Sequence, residues 1–122
     1  MRLSYNEIPG KLNAAAFVNA PEVSTGLVHI VFDPGMLNNV KFYTSSGYQY
    51  SSADIIFAHE LGHVLGKLDP LDYIVKPFED NVSIMENGYR QSINAPIRTR
   101  YSVWVFINGG WQFASNDPTA KP

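Results

Sequence analysis

The hydrophobic and polar positions divide the chain into short strand-like and helix-like stretches. Residues 25–35 (TGLVHIVFDPG) form a β-branched and aromatic run that stops at an Asp-Pro-Gly sequence, which predicts a strand. Residues 40–50 predict a hairpin, and residues 99–115 predict a second hairpin that turns at Asn108-Gly109. Residues 25–50 and 99–115 are therefore expected to be mainly β-structure, whereas the first 20 residues fit either a short helix or a strand.

Two helices are predicted in the middle of the chain. The first covers about 53–65, where either of the two preceding serines can cap its start and Gly66 suits its end. Residues 67–80 contain prolines and several acidic residues, which indicates a loop. A second helix is expected at about 81–93. Together the elements predict a small α+β domain with a short mixed β-sheet, a central helix, a second supporting helix and a C-terminal β-hairpin.

Length and composition narrow the class of protein. The 122 residues fit a single domain, and they are equally compatible with a domain cut from a larger protein. A net charge of −2 gives no basic excess for nucleic acid, and no apolar run resembles a membrane span or a signal peptide. Because the chain has no cysteine, any metal must be held by His, Asp or Glu.

The sequence HELGH at 59–63 lies within the first predicted helix. Residues four apart share one face of a helix, so His59 and His63 can bind one cation. The adjacent Glu60 can then take a proton from water on that cation, which is the chemistry of zinc hydrolases. A single helical histidine is more often a packing or surface residue, whereas a pair that brackets a glutamate favours a Zn²⁺ site.

The third metal ligand has two candidates, because a catalytic zinc usually has three protein ligands and one open position. Glu86, on the second predicted helix, can face the first helix, although its spacing from Ser83 also fits a capping box. Asp69 can reach back if the chain turns at Gly66, although Asp69-Pro70 is also a common start of a turn. The residues alone leave both carboxylates open.

An R-x-x-Y sequence just before the last strand supplies further candidate catalytic residues. An anionic tetrahedral intermediate needs a positive charge or a hydroxyl donor aimed at its oxygen. Arg98 and Tyr101 can provide one of each, so they join Glu60 as candidates for catalysis.

These motifs together resemble a known family. HELGH at 59–63, E-N-x-Y-R at 86–90 and R-x-x-Y at 98–101 resemble the gluzincin-like zinc metallopeptidase domains of bacterial effectors and Rhs-type toxins. The R-x-x-Y element is also similar to that of clostridial neurotoxin light chains. The resemblance implies a small zincin-like domain and a complete set of site residues. These are the zinc ligands His59, His63 and Glu86, the base Glu60, and the transition-state stabilisers Arg98 and Tyr101.

A second resemblance supports the other third ligand. The string from His59 to Asp69 is similar to the extended motif of metzincins in the version that ends in aspartate, and Met85 lies in a sequence similar to their methionine turn. This resemblance implies a minimal metzincin-type protease with Asp69 as the third ligand. Met85 would then lie beneath the metal, and Glu86 would be a helix cap.

The predicted function is that of a zinc-dependent metalloendopeptidase acting on a protein or peptide substrate. The resemblance implies a toxin or effector domain, secreted or delivered into a target cell, with a cognate immunity protein or inhibitor as a further partner. A cytoplasmic location fits the lack of a signal peptide equally well. Two alternatives share the metal site, namely a zinc amidase acting on a cell-wall peptide or small molecule, and a non-catalytic module stapled by the metal. Neither nucleic acid nor a membrane is expected as a partner.

Overall fold

The computed structural model describes residues 2–3, 16–18, 25, 27, 29–74 and 80–122, which form an α+β fold, as the pattern predicts. The strands are β1 (Arg2–Leu3), β2 (Ala16–Val18), β3 (Ile30–Phe32), β4 (Val40–Thr44), β5 (Gly47–Gln49), β6 (Arg98–Ile107) and β7 (Gly110–Ala114). The helical elements are a 3₁₀ turn at Pro34–Met36, helix α1 at Ala53–Val64, a π-helical turn at Val82–Glu86 and helix α2 at Asn87–Ser92. Within the described ranges, none of the helices has the length and apolar character that crossing a bilayer requires.

Five of these strands form one mixed sheet in the order β1-β7-β6-β4-β5. The pairs β7–β6, β6–β4 and β4–β5 are antiparallel, and β1 pairs in parallel with β7. Strands β2 and β3 form a separate antiparallel pair. The β6–β7 hairpin turns at Asn108-Gly109, whose φ values of 52° and 80° suit a two-residue turn with two positive φ angles. Both predicted hairpins are therefore confirmed.

The strand predicted in 25–35 is shorter than the apolar run suggests. Its described strand residues are Ile30–Phe32, and the chain then enters the 3₁₀ turn. Asp33 caps this turn by accepting a hydrogen bond from the Gly35 backbone N at 2.9 Å. Pro34 has no N–H to offer to a neighbouring strand, so the ladder ends before it.

Alternate residues of β4 and β6 hold α1 against the large sheet. Val40 and Phe42 of β4, Val103 and Val105 of β6, and Ile56 of α1 are buried in one cluster. Complete burial of such a side chain contributes roughly 1.5–3 kcal/mol. The cluster therefore fixes the helix that carries HELGH relative to the strand that carries R-x-x-Y.

Strand β6 leaves its regular register with β4 between Arg98 and Val103. The loop after α1 contacts this segment instead, and the Tyr101 backbone N donates to the Asp72 carbonyl oxygen at 2.7 Å. An irregularity of this kind redirects side chains. The R-x-x-Y residues thus lie inside β6, and the prediction that they precede the strand is wrong.

Asp72 anchors the loop after α1 to the sheet. Its buried carboxylate accepts hydrogen bonds from the Arg100 guanidinium at 3.1 and 2.7 Å and from the Ser102 hydroxyl at 2.6 Å. Burial alone would raise the pKa of Asp72, but the hydrogen bonds from Arg100 and Ser102 hold this pKa below its usual value. The contact therefore stabilises the fold through the ionised form of Asp72.

Asp72→Asn is expected to lower the free energy of unfolding by about 3 kcal/mol near pH 7, because it leaves Arg100 buried without its counter-charge. The folded-state pKa of Asp72 is depressed. Its stabilisation is therefore complete above an unfolded-state pKa of about 3.9 and is lost as the pH falls. Urea unfolding at about pH 7 and about pH 3 measures this. The gap between variant and wild type should shrink at the lower pH, and an unchanged gap would refute the assignment.

Candidate metal centre

Helix α1 brings together the three residues of HELGH that can bind a metal or transfer a proton. His59 and Glu60 are buried and His63 is half-buried. The two imidazole rings have their centroids 5.0 Å apart, as expected for residues one helical turn apart. One ligand atom from each of His59, Glu60 and His63 lies within 4.8 Å of the others. This cluster has the dimensions and the donor atoms to hold a single metal ion.

The end of α1 returns the chain toward these histidines. The Gly66 backbone N donates to the His63 carbonyl oxygen at 3.0 Å, and the Lys67 backbone N donates to the Gly62 carbonyl oxygen at 2.9 Å. This pair of bonds is a Schellman motif, which requires a positive φ at the residue after the cap. Gly66 has a φ of 84°. The reversal places Asp69 beside the helix that the chain has just left.

Asp69 bridges the two histidines. Its Oδ1 lies 2.9 Å from His59 Nε2, and its Oδ2 lies 2.9 Å from His63 Nε2. The Tyr101 hydroxyl donates to the same Oδ2 at 2.8 Å, and the Tyr101 ring stacks on His59 at a centroid distance of 5.9 Å. The same nitrogen of both rings therefore faces one carboxylate.

The other nitrogen of each ring is already engaged. His63 Nδ1 lies 3.0 Å from the Lys67 carbonyl oxygen, and His59 Nδ1 lies 2.8 Å from Glu86 Oε1. Because a carbonyl oxygen only accepts hydrogen bonds, His63 Nδ1 must carry a hydrogen. The carboxylate of Glu86 favours the same tautomer in His59. Each neutral ring then directs an Nε2 lone pair toward Asp69, as metal-binding histidines do.

In the metal-free protein, each ring is protonated on both nitrogens: because Nδ1 already carries a hydrogen, Nε2 needs a second one to donate to Asp69. A metal cation can take the place of that second hydrogen. Burial alone would lower the pKa of His59, but hydrogen bonds with Asp69 and Glu86 raise it to about 9. The hydrogen bond with Asp69 likewise raises the pKa of His63. The charged rings in turn hold the pKa of Asp69 far below its usual value, against the effect of its burial.

Glu60 sits beside this group in a partly desolvated position. Burial raises the pKa of its carboxyl to about 7, and the nearby charges of His59 and His63 oppose that rise. A carboxyl with a pKa near neutrality can both accept and release a proton, which general acid–base chemistry requires.

Glu86, the predicted third ligand, contacts His59 at the other end of its ring. It is 2% exposed, and its Oε1 accepts hydrogen bonds from His59 Nδ1 and from Arg98 Nη1, the latter at 2.9 Å. Its Oε2 accepts from Arg90 Nε at 2.8 Å. Burial alone would raise the pKa of Glu86, but Arg98, His59 and Arg90 hold this pKa well below its usual value. Glu86 is therefore a buried anion between two arginines and an imidazole.

Arg98, the predicted stabiliser of a transition state, is buried and makes its hydrogen bonds inside the protein. It is 3% exposed and donates to Glu86 and to the carbonyl oxygens of Arg100 and Tyr101. The structure thus gathers the predicted residues into two groups on either side of His59. Asp69 and Tyr101 lie on the Nε2 side, whereas Glu86 and Arg98 lie on the Nδ1 side.

Two residues at the centre were missed by the motif analysis, namely Gly62 and Asn81. Asn81 is fully buried, and its Nδ2 donates to the His59 carbonyl oxygen at 2.8 Å and to Asp69 Oδ1 at 3.2 Å. A Cβ atom on Gly62 would overlap Asn81 Oδ1 and lie 2.8 Å from Met85 Cγ. The glycine inside HELGH therefore allows the close approach of Asn81. The sequence carries no signal for this contact, since an asparagine before a helix fits an ordinary cap.

Gly62→Ala is expected to destabilise the fold by about 2–3 kcal/mol, because the added methyl group overlaps the buried Asn81 side chain. Chemical denaturation measures the loss. Gly88→Ala is a suitable control, since a Cβ atom at Gly88 meets nothing within 4 Å. Equal stability of the two variants would show that the α1–Asn81 contact is not as close as described.

The site cannot be interpreted through a relative. No family model matches this chain, and no curated protein or solved structure is significantly similar to it. The metal ligands are therefore inferred from the geometry of the described residues and from the chemistry that they can carry.

Proposed function

We propose that this protein is a zinc-dependent peptidase in which His59, His63 and Asp69 hold the metal and Glu60 is the catalytic base. The observation that carries the proposal is the bridge made by Asp69, whose two oxygens lie 2.9 Å from the Nε2 atoms of His59 and His63. Two imidazoles and a carboxylate form a three-ligand set that leaves one position open, as catalytic zinc sites do.

The donor set suits zinc in three further respects. The Nδ1 atoms are occupied by hydrogen-bond partners, so the Nε2 atoms are the ones left for a metal. The donors are nitrogen and carboxylate oxygen, which zinc accepts in a tetrahedral arrangement. The chain has no cysteine that could compete. Asp69, the alternative in the sequence interpretation, is thus the ligand we propose in place of Glu86.

Glu60 does the proton chemistry in this proposal. Zinc bound at the site would supply the Lewis acidity that makes a neighbouring water acidic and polarises a substrate carbonyl. The Glu60 carboxylate would accept the proton from the attacking water and pass it to the leaving amine. Burial raises the pKa of this carboxyl to about 7 in the metal-free protein, and the charge of a bound zinc would lower this pKa and favour the ionised form that accepts the proton.

Tyr101 and Glu86 support the chemistry from opposite sides of His59. The Tyr101 hydroxyl donates its only hydrogen to Asp69, so in this proposal Tyr101 orients that ligand and does not itself stabilise an oxyanion on the substrate. Glu86, held by Arg90 and Arg98, would fix the tautomer and orientation of His59. Arg98 then acts through Glu86 and has no direct contact with the substrate.

We further propose a protein or peptide substrate and an origin as a toxin or effector domain. Both proposals rest on the resemblance of the three motifs to metallopeptidase domains of bacterial effectors. An extended segment of a substrate protein would bring its scissile carbonyl to the open position of the metal, next to Glu60.

Metal analysis combined with a cleavage assay tests the proposal. Purified protein should contain about one zinc and cleave an unfolded protein or a peptide library. A chelator should stop cleavage, and added zinc should restore it. His63→Ala should lose both zinc and activity, whereas His29→Ala, which removes the exposed histidine outside the motif, should keep both. Cleavage that survives complete removal of the metal would refute the proposal. A zinc-loaded protein that cleaves no substrate in the panel would favour the non-catalytic alternative, in which the metal only stabilises the fold.

A further inference from the structure

Asn81 connects three parts of the candidate centre. Its backbone N donates to the Leu68 carbonyl oxygen at 2.7 Å, immediately before Asp69. Its side-chain Nδ2 donates to Asp69 Oδ1 at 3.2 Å and to the His59 carbonyl oxygen at 2.8 Å. One residue thus ties the loop that carries Asp69 to the helix that carries the histidines.

The two oxygens of Asp69 each have one partner that is not a histidine. Oδ1 accepts from Asn81 and Oδ2 accepts from the Tyr101 hydroxyl. These two donors fix the position and the plane of the carboxylate independently of the imidazoles. Because neither bond involves an imidazole, both can hold Asp69 in place whether or not a cation occupies the Nε2 atoms of the histidines.

The Asn81 side chain is retained at a cost to the interior. Asn81 is 0% exposed, and its Oδ1 has no hydrogen-bond partner among the described residues. A buried acceptor without a partner is unfavourable, and Gly62 must lack a side chain to leave room for it. The NH₂ group of the same side chain offsets this cost, because it donates to Asp69 and to the His59 carbonyl oxygen.

We infer that Asn81 is a positioning residue that fixes Asp69 against the Nε2 atoms of His59 and His63, so that the site is arranged before the metal binds. The inference rests on the proposed function, in which Asp69 is a zinc ligand. It assigns to Asn81 an effect on zinc affinity that is transmitted through Asp69.

A double-mutant cycle on zinc affinity tests the inference. Zinc dissociation constants would be measured by competition with a chromophoric chelator for wild type, Asn81→Ala, Asp69→Ala and the double variant. Loss of a partner that orients a ligand typically weakens metal binding about 10–100-fold, and we expect that loss for Asn81→Ala in the wild-type background. In the Asp69→Ala background, the second substitution should change zinc affinity less than about threefold, because the residue it acts through is already gone.

Two further variants separate an effect on zinc affinity from an effect on folding. Ser115→Ala removes a buried hydroxyl outside the centre, which shares a hydrogen bond of 2.7 Å with the Ser102 hydroxyl and accepts one of 3.1 Å from the Asp117 backbone N, and it should lower stability with little loss of zinc affinity. If Asn81→Ala does not fold, Gly62→Ala combined with Asn81→Ala replaces it. The new methyl group then occupies space that the amide vacated, and the fold should recover while zinc binding stays weak.

Each outcome has a distinct meaning. If wild type binds no zinc, the proposed function fails. If wild type binds zinc and Asn81→Ala binds it equally well, the inference about Asn81 is wrong and the proposed function stands. An equal loss of affinity in both backgrounds would also overturn the inference, since Asn81 would then act on the fold or directly at His63 Nε2, 3.5 Å from its Nδ2, and not through Asp69.

Discussion

Glu60→Gln is expected to lower peptide hydrolysis by about 10³-fold while zinc remains bound. The amide has nearly the same shape as the carboxyl but cannot accept the proton of an attacking water, and a positioned general base typically contributes about 10²–10⁴-fold. Because His59, His63 and Asp69 are unchanged, the metal content should stay near one zinc per chain. Steady-state kinetics on a peptide substrate, with metal analysis of the same sample, measures both quantities.

Asp54→Asn provides the matched control for this substitution. Asp54 also lies on α1, and its exposed carboxylate accepts a hydrogen bond from the Tyr89 hydroxyl at 2.6 Å. Loss of this carboxylate should leave hydrolysis within about threefold of wild type. Full activity in Glu60→Gln would remove Glu60 from the mechanism, even if zinc binding were demonstrated.

Asp69→Ala is expected to weaken zinc binding by more than about 100-fold, because it removes a proposed ligand. Removal of an outer partner typically costs about 10–100-fold. The metal-free protein should also lose some stability, because Asp69 pairs with both histidine rings and accepts hydrogen bonds from Asn81 and Tyr101. Chelator competition gives the zinc affinity, and thermal unfolding of the metal-free protein gives the stability.

Compared with Asp69→Ala, Glu86→Gln should have a larger effect on stability and a smaller effect on zinc affinity. Neutralising Glu86 leaves Arg90 and Arg98 buried without a counter-charge, so the free energy of unfolding should fall by about 3–5 kcal/mol. Zinc affinity of the folded fraction should fall by the smaller factor typical of an outer partner. If Glu86→Gln abolished zinc binding without loss of stability while Asp69→Ala bound zinc normally, the two carboxylates would have to exchange roles.

The elements of this fold follow closely from local patterns. The hairpin turns contain residues that tolerate positive φ, and Gly66 ends α1 as its position predicts. The α+β class is confirmed because each hydrophobic run has a length and period that suit one kind of element. The segment 98–101 departs from this rule, since its register depends on Asp72 and Tyr73, which are distant in sequence.

The candidate centre was less predictable than the fold. The spacing of His59, Glu60 and His63 on one helix brings them together without any tertiary information. The position of Asp69 depends on the reversal at Gly66, which the sequence allows for. The position of Glu86 depends on the π-helical turn before α2, which no motif encodes. Both carboxylates contact the His59 ring, Asp69 at Nε2 and Glu86 at Nδ1. The sequence does not indicate which nitrogen each carboxylate contacts.

Asn81 and Gly62 show a further limit of motif analysis. The glycine of HELGH occupies a position at which the motif accepts any residue, so its role depends on a neighbour 19 positions away in the chain. Contacts of this kind arise from packing between elements, which sequence periodicity does not report.

Determination of the coordination sphere in a crystal of the zinc-loaded protein tests the central claim most directly. We predict one zinc bound by His59 Nε2, His63 Nε2 and an Asp69 oxygen, at about 2.0–2.2 Å, with Glu86 still hydrogen-bonded to His59 Nδ1. Zinc ligated by Glu86, or a fully loaded site from which Asp69 has moved away, would contradict the account.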